Sequence, residues 1–497
     1  ILTAGDDKYK KYNANVNISS NITKWLNVSA KITHTYTSER HPTGGTTAMN
    51  PTAYSGLSAY SGMMKNDLSP LMPVKHPDGH YAGQGSYTNP IAIMEQGGNA
   101  KYRQNDLWMT GAVRITPIKG LVINADYTWN FYGRNANEHV RNFYDYTAVP
   151  GTENYYPWTN PSSITVSNYD DYYQAFNAFA EYSLSLAEKH NFKVLVGYNQ
   201  EKKHNKYHWV GRKNLIDNDT PQINLAYGDI STSGSESMWS TNGLFFRLNY
   251  DYMGKYLFEF NGREDGSSKF AKGHRWGYFP SVSAGWTLTE EDFMKSAASW
   301  LDFLKLRLSW GQVGNANINC YQYLAPVTTS KTNYNFGATG GTDAWVMGAY
   351  TERLANEKVK WETSEQYNVG LDARFLRQRL SLTLDGYIKN TKDWLVQAPI
   401  LATAGTGGPV INGGDVKNKG IEVGLSWNDN IGRDFTYSVG ANFAYNHNEV
   451  GNIPTLDGII HGKDNQIYSN AEEFYRAENG HAIGYFWGYK TAGLFQN

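Results

Sequence analysis

His204 and His208 stand four residues apart near the outer end of an alternating stretch, a spacing that lets two imidazoles share one strand face and bind a metal. A metal centre needs a third ligand, and none stands nearby in sequence, so the pair reads as solvated rim residues. Asp217, Asn218 and Asp219 offer oxygen ligands to Ca²⁺, but their spacing does not match a calcium loop, and a polar turn before Pro221 accounts for them. Glu290, Glu291 and Asp292 resemble paired acids. They precede a short helical turn expected at 292–300, where acidic side chains suit the helix N-terminus. Cys320 is the only cysteine, which excludes a disulfide framework and a cysteine metal cluster. Zincin, phosphate-loop, nucleophile-elbow and full EF-hand patterns are all missing. No catalytic, cofactor-binding or metal-ligating residue is assigned, and the chain reads as a non-enzyme.

Binding chemistry is better supplied than catalytic chemistry. Tyr54 and Tyr60 fall in a long connection at 39–104, and Tyr155, Tyr156, Trp158 and Tyr169 fall in another at 134–171. Flat aromatic faces of this kind suit sugar rings and suit protein docking equally.

The elements that would hold these residues are strands. Fourteen stretches read as β, near 9–20, 25–38, 105–116, 121–133, 172–187, 191–205, 239–252, 256–264, 276–289, 302–313, 361–375, 380–391, 418–427 and 434–448. The odd-to-even connections are short: 21–24, 117–120, 188–190, 253–255, 376–379 and 428–433, with 290–301 the longest. The even-to-odd connections are longer: 39–104, 134–171, 206–238, 265–275, 314–360 and 392–417. A soluble sandwich has no reason to keep its long loops on one side. A transmembrane β-barrel does, with short periplasmic turns and long extracellular loops.

Side-chain alternation fits the same architecture. Leu121, Ile123, Ala125, Tyr127, Trp129 and Phe131 fall on one face, with Asn124, Asp126, Thr128 and Asn130 on the other. In the last strand Val439, Ala441 and Phe443 are expected to face lipid, and Ser438, Gly440 and Asn442 the lumen. Alternation serves a sandwich as well, but several runs reach about 13 residues, or roughly 40 Å, against about five or six for the usual strand. Aromatic residues make up 14% of the chain, a supply that girdles at two membrane interfaces would use, and Trp129, Phe131, Tyr132, Tyr250 and Tyr252 stand at strand ends where girdles belong. No run approaches the roughly 18 apolar residues of a spanning helix. The formal net charge of −1 points to neither nucleic acid nor a polybasic membrane anchor. Neither end behaves like a terminus, since the chain opens at Ile1 without a start Met or signal peptide and stops at Asn497 short of a complete strand. The expectation is all-β, with residues 1–497 forming part of a longer outer-membrane barrel.

Specific blocks sharpen this. Residues 258–286 read FEFNGREDGSSKFAKGHRWGYFPSVSAGW, followed at 302–315 by DFLKLRLSWGQVGN. Arg263, Asp265, Gly266, Ser267, Ser268 and Phe270, then Arg275, Gly277, Phe279, Pro280, Ser281 and Trp286, closely resemble the SusC/RagA family of TonB-dependent outer-membrane transporters. Further blocks at 356–363, 413–422 and 480–489 resemble the same family in order and spacing, with Glu357 where the family often has Pro. The resemblance runs from about 240 to the end, and residues 1–240 share only its strand rhythm. The motif residues themselves read as structural, with Gly266, Gly277 and Gly420 suited to tight turns.

The resemblance implies a 22-stranded barrel with an N-terminal plug, capped by a SusD-like surface lipoprotein and energised by TonB. It implies that the plug, TonB box, signal peptide and about eight strands lie outside these residues. The function it implies is TonB-dependent import of an oligomeric glycan or peptide across the outer membrane, with no cofactor. The loop aromatics would then contact cargo or the lipoprotein lid. The alternatives are a lid-less siderophore or cobalamin receptor and a surface adhesin or scaffold barrel.

Overall fold

A computed structural model describes residues 7–43, 72–83, 89–146, 153–155, 160–335, 345–463 and 470–493. In a fifteen-stranded sheet, Trp276–Tyr278 pairs off the main path with the end of Tyr256–Ser267, and the other fourteen strands each lie beside their neighbour in sequence. They are β1 (Lys8–Asn21), β2 (Leu26–Pro42), β3 (Gly98–Ile115), β4 (Leu121–Val140), β5 (Ser163–Leu186), β6 (His190–Lys213), β7 (Ile230–Tyr252), β8 (Tyr256–Ser267), β9 (Ser281–Thr287), β10 (Leu301–Asn315), β11 (Glu362–Phe375), β12 (Leu380–Lys392), β13 (Asp415–Ile431) and β14 (Phe435–Gly451). The expected parity holds with one exception: the odd-to-even connections 22–25, 116–120, 187–189, 253–255, 376–379 and 432–434 are all shorter than any even-to-odd connection, whereas 288–300 is as long as 268–280. The tightest turns use left-handed backbone, as at Met253 and Gly254, where φ is 54° and 71°. Two successive positive φ values match the twist of the flanking strands.

Several strands run further than the apolar alternation suggests. β5, β6 and β7 extend to Ser163, Lys213 and Ile230, so the loops expected at 134–171 and 206–238 shrink to 141–162 and 214–229. Pairing continues there because polar side chains find partners on the next strand. Lys203 sits 2.8 Å from Asp171, and Asn205 donates to the Tyr169 hydroxyl at 3.4 Å.

The chain divides into two units, one of residues 1–114, 125–176 and 201–238, the other of 115–124, 177–200 and 239–497. In the second unit the register aligns entire rows across eight strands. Tyr250, Phe258, Ala284, Leu308, Val369, Gly386, Ile421 and Tyr445 lie side by side on one face. The next row, on the opposite face, is Asn249, Glu259, Ser283, Ser309, Asn368, Tyr387, Gly420 and Asn446. The apolar row is not covered: Leu308, Val369, Ile421 and Tyr445 are 47, 55, 52 and 58% exposed. The other described sheets have only two or three strands. A sandwich would bury such a row against a second sheet, whereas a membrane wall leaves it to lipid. Val439, Ala441 and Phe443 fall on this apolar face, opposite Trp427, Leu425 and Val423, while Ser438, Gly440 and Asn442 fall on the polar one. Among the described residues no helix is long and apolar enough to cross a membrane.

Aromatic belts bound the apolar rows. On the short-turn side Tyr252, Tyr256 and Trp286 are in register, with ring centroids 6.2 and 6.5 Å apart. Glu291 accepts from the Tyr256 hydroxyl at 2.6 Å and from the Trp286 indole at 3.2 Å, so this acid anchors the belt and does more than complement a helical turn. The turn itself is a 3₁₀ helix, Asp292–Ala297. On the long-loop side Glu365 accepts from the Trp310 indole and the Tyr367 hydroxyl, each at 3.0 Å, and pairs with Lys392 at 3.1 Å. Tyr278, opposite Glu264, continues this upper belt. Eight residues separate Tyr256 from Glu264, or about 26 Å along the strand, which matches an apolar band about 25 Å tall.

The motif glycines lie within or beside paired strands, and what they supply is space. A Cβ on Gly420 would come 2.5 Å from the Tyr387 ring, and one on Gly277 would come 2.4 Å from the Phe279 ring. Rings from adjacent positions lie over the missing side chains. Trp361 is held between Phe270 and Phe279, centroids 5.5 and 5.4 Å away, and its indole donates to the Arg275 carbonyl at 2.7 Å. With Phe270 fully buried, this block is a structural clamp on the loop between β8 and β9.

The first unit builds a small core around the helix Pro90–Gln96, from Tyr81, Ala92, Ile93, Met94 and Phe143. Asn89 caps the helix by accepting from the Ile91 and Ala92 amides, and its own amide donates to the Val74 and Ala82 carbonyls. The Tyr81 hydroxyl donates to Glu95, which pushes the phenol up to about 12.

Candidate functional site

In the first unit, strand alternation separates an outer from an inner face. On β4, Tyr127, Trp129 and Phe131 share the outer parity, and on β5 Tyr172 and Phe176 do. Phe131 and Tyr172 meet across the strands at 5.1 Å. The intervening residues point inward. Tyr132 therefore leaves the girdle it was expected to join, because it is one residue out of phase with Trp129 and Phe131. It packs edge-on against Tyr169, centroids 6.0 Å apart.

This inner face combines rings with charge. Trp108 lies 6.0 Å from Tyr173, and the Arg134 guanidinium lies over the Tyr102 ring at 4.5 Å. The Tyr102 hydroxyl donates to Glu138 at 2.7 Å, and Asn130 donates to Asp106 at 2.7 Å. Asp171 is 8% exposed; Lys203 neutralises its Oδ2, but its Oδ1 is buried with no hydrogen-bond partner. A buried carboxylate oxygen left this way is an acceptor waiting for a donor. The arrangement can stack flat rings and offer directional polar contacts.

Of the six aromatic residues singled out in the sequence, Tyr169 joins this cluster, and it does so from strand β5, where a loop was expected. Tyr155 ends a three-residue strand, Glu153–Tyr155, paired with Tyr144–Tyr146. Tyr54, Tyr60, Tyr156 and Trp158 lie outside the described residues. Sequence reasoning missed Tyr102, Trp108, Tyr132, Tyr173, Asp171 and Lys203. The signal available was parity within each strand, and it needed the strands to be drawn to their full length.

The candidate metal residues separate. His204 meets Glu236 at 2.5 Å, whereas His208 meets Asn168 at 3.1 Å. Asp217 accepts from the Asp219 amide in an Asx turn, and Asp219 pairs with Arg141 at 3.3 Å. Among the described residues no three His, Cys, Asp or Glu side chains converge as a metal site. The second unit carries its own inner cavity of about 800 Å³, lined by Lys193, Glu259, Lys305, Arg307 and Asn368.

A sheet with exposed apolar rows, aromatic belts and all long loops on one side is the wall of an outer-membrane β-barrel. Residues 66–470 match the family model described as TonB dependent receptor-like, beta-barrel, and the chain belongs to that family. It is 29% identical over 509 residues to TonB-dependent receptor SusC of Bacteroides thetaiotaomicron, an overlap of 96% of this chain and 47% of that protein. A TonB-dependent receptor of Formosa agariphila is 29% identical over 438 residues, covering 84% of this chain and 41% of the relative. The solved RagAB peptide transporter superposes with a TM-score of 0.75 at 22% identity, over 97% of this chain and 50% of its own. These likenesses support the SusC/RagA assignment and extend it through residues 1–240. The chain spans less than half the length of these curated relatives.

Proposed function

We propose that the protein imports an oligomeric nutrient, a glycan or a peptide, across the outer membrane in a TonB-dependent cycle. A SusD-like surface lipoprotein would cap the long-loop side, and a plug elsewhere in the full-length protein would occupy the lumen and carry the TonB contact. The observation that carries this reading is the inner face of the first unit, which holds the ring pairs Trp108–Tyr173 and Tyr132–Tyr169 together with Asp171, whose Oδ1 is buried without a hydrogen-bond partner. Aromatic faces beside an unsatisfied acceptor suit a cargo made of rings or amides bearing N–H or O–H groups. Tyr54, Tyr60, Tyr155, Tyr156 and Trp158 remain proposed contacts of cargo or lid.

The test replaces Tyr169 and Tyr173 together by Ala in the full-length protein and follows growth on oligosaccharide or peptide as sole nutrient. The expected result is lost growth with the barrel still inserted and the lipoprotein still co-purifying. Unchanged growth on every nutrient that the wild type uses overturns the reading.

A further inference from the structure

A second polar cavity, of about 660 Å³, lies within the second unit, between the loop after β10 and the loop after β12. Its size falls in the range of about 300–1,000 Å³ typical of small-molecule sites. A short two-stranded ladder, Leu395–Gln397 with Val410–Asn412, forms one wall. The parallel bridge between Arg353 and Gly407 closes another.

Two groups lining it stand out. Arg353 donates from Nη2 to the Tyr321 carbonyl at 3.1 Å, but its Nε is buried with no hydrogen-bond partner. Gln322 is only 6% exposed and brings both a donor and an acceptor to the same cavity. Asn317, Asn319 and Gln397 add further amides, and Glu352 supplies a carboxylate. A sugar hydroxyl both donates and accepts, so adjacent hydroxyls can satisfy this mixed set. An anionic group would meet Glu352. A peptide strand would find the Leu395–Gln397 and Val410–Asn412 ladder already paired to itself.

We propose that this cavity is a rim subsite for a neutral sugar ring, with the Arg353 and Gln322 side chains as its central contacts; the source of that sugar rests on the import reading above. The probe is an array of immobilised neutral oligosaccharides, acidic oligosaccharides and peptides, presented to the purified full-length protein in detergent. Wild type should be retained on neutral oligosaccharides. Gln322→Leu and Arg353→Met should each lower that retention about tenfold, the loss expected for roughly 1.4 kcal/mol of hydrogen bonding. Asn319→Ala, at an exposed position, should lower it less and serves as a variant with no buried change. Retention on acidic oligosaccharides or peptides alone, on nothing, or equally by all three variants overturns the proposal. Array retention does not depend on transport, whereas growth of the Tyr169 and Tyr173 double variant does, so either idea can fail while the other stands.

Discussion

Arg307 on β10 reaches across the whole of β11 to Asp385 on β12, and it can do so because residue 370 between them is glycine. The three lie in one register row. Nη1 and Nη2 of Arg307 meet the Asp385 carboxylate at 3.1 Å each, and Nε and Nη2 meet Asp372 at 2.7 and 3.0 Å. A Cβ on Gly370 would sit 2.6 Å from both the guanidinium carbon and an Asp385 oxygen. Paired bidentate contacts of this kind are the strongest hydrogen-bonded ion pairs available to a wall strand.

Gly370→Val is therefore expected to push Arg307 off Asp385. The groups are only partly buried, so the cost should be about 1–3 kcal/mol. Urea unfolding of the barrel in lipid vesicles measures it. A variant as stable as the parent would show that the arginine bridge contributes nothing.

Ala441 faces lipid beside Leu425, whereas Asn442 faces inward beside Gly424. Arg at Ala441 should cost about 2–4 kcal/mol if the site is near the midplane, and Arg at Asn442 should be tolerated. Folding yields of the two variants in vesicles decide the matter. Equal tolerance would contradict the assignment of faces.

His461, in the segment after β14, lies 2.9 Å from Glu473 and 3.3 Å from Asp457. The Glu473 hydrogen bond leads in raising its pKa, against partial desolvation, and Asp457 adds to the rise. A raised pKa stabilises the charged, folded form. That contribution is complete below the unfolded value of about 6.5 and fades as pH climbs through the higher folded value. Amide exchange in the Ile459–His461 and Tyr475–Glu478 ladder should consequently quicken from pH 6 to pH 8.5 beyond the intrinsic base-catalysed rise. His461→Gln should abolish the excess, and an excess that survives the substitution would remove His461 from the account.

The loop between β4 and β5 is 141–162, so a deletion there must spare Tyr144–Tyr146, Glu153–Tyr155 and the strands themselves. Removing residues between 156 and 159 should leave the wall folded, as surface loops tolerate shortening. It should weaken cargo uptake or lipoprotein co-purification. Both readouts unchanged, here and after trimming within 44–70, would move recognition away from these loops.

The parity of loop lengths and the two faces of β14 were legible from residue order. Each depends on the strand's period of two and on turn length, which are local properties. The extension of β5 was not legible, because Asp171 looks like a loop residue until Lys203 on the neighbouring strand meets it. Tyr132 carried an aromatic label that suggested a girdle; its phase against Trp129 and Phe131 sends it inward, and the tertiary structure supplies its partner there, Tyr169. Gly420 read as a turn glycine until the register placed Tyr387 over it, and the register likewise places Arg307 over Gly370. Sequence by itself determined that this chain is a membrane wall with one elaborated side, since strand length, loop parity and the motif blocks need no partner to be read. The tertiary structure decided which side chains meet across strands, because those contacts depend on register between residues as distant as Arg307 and Asp385.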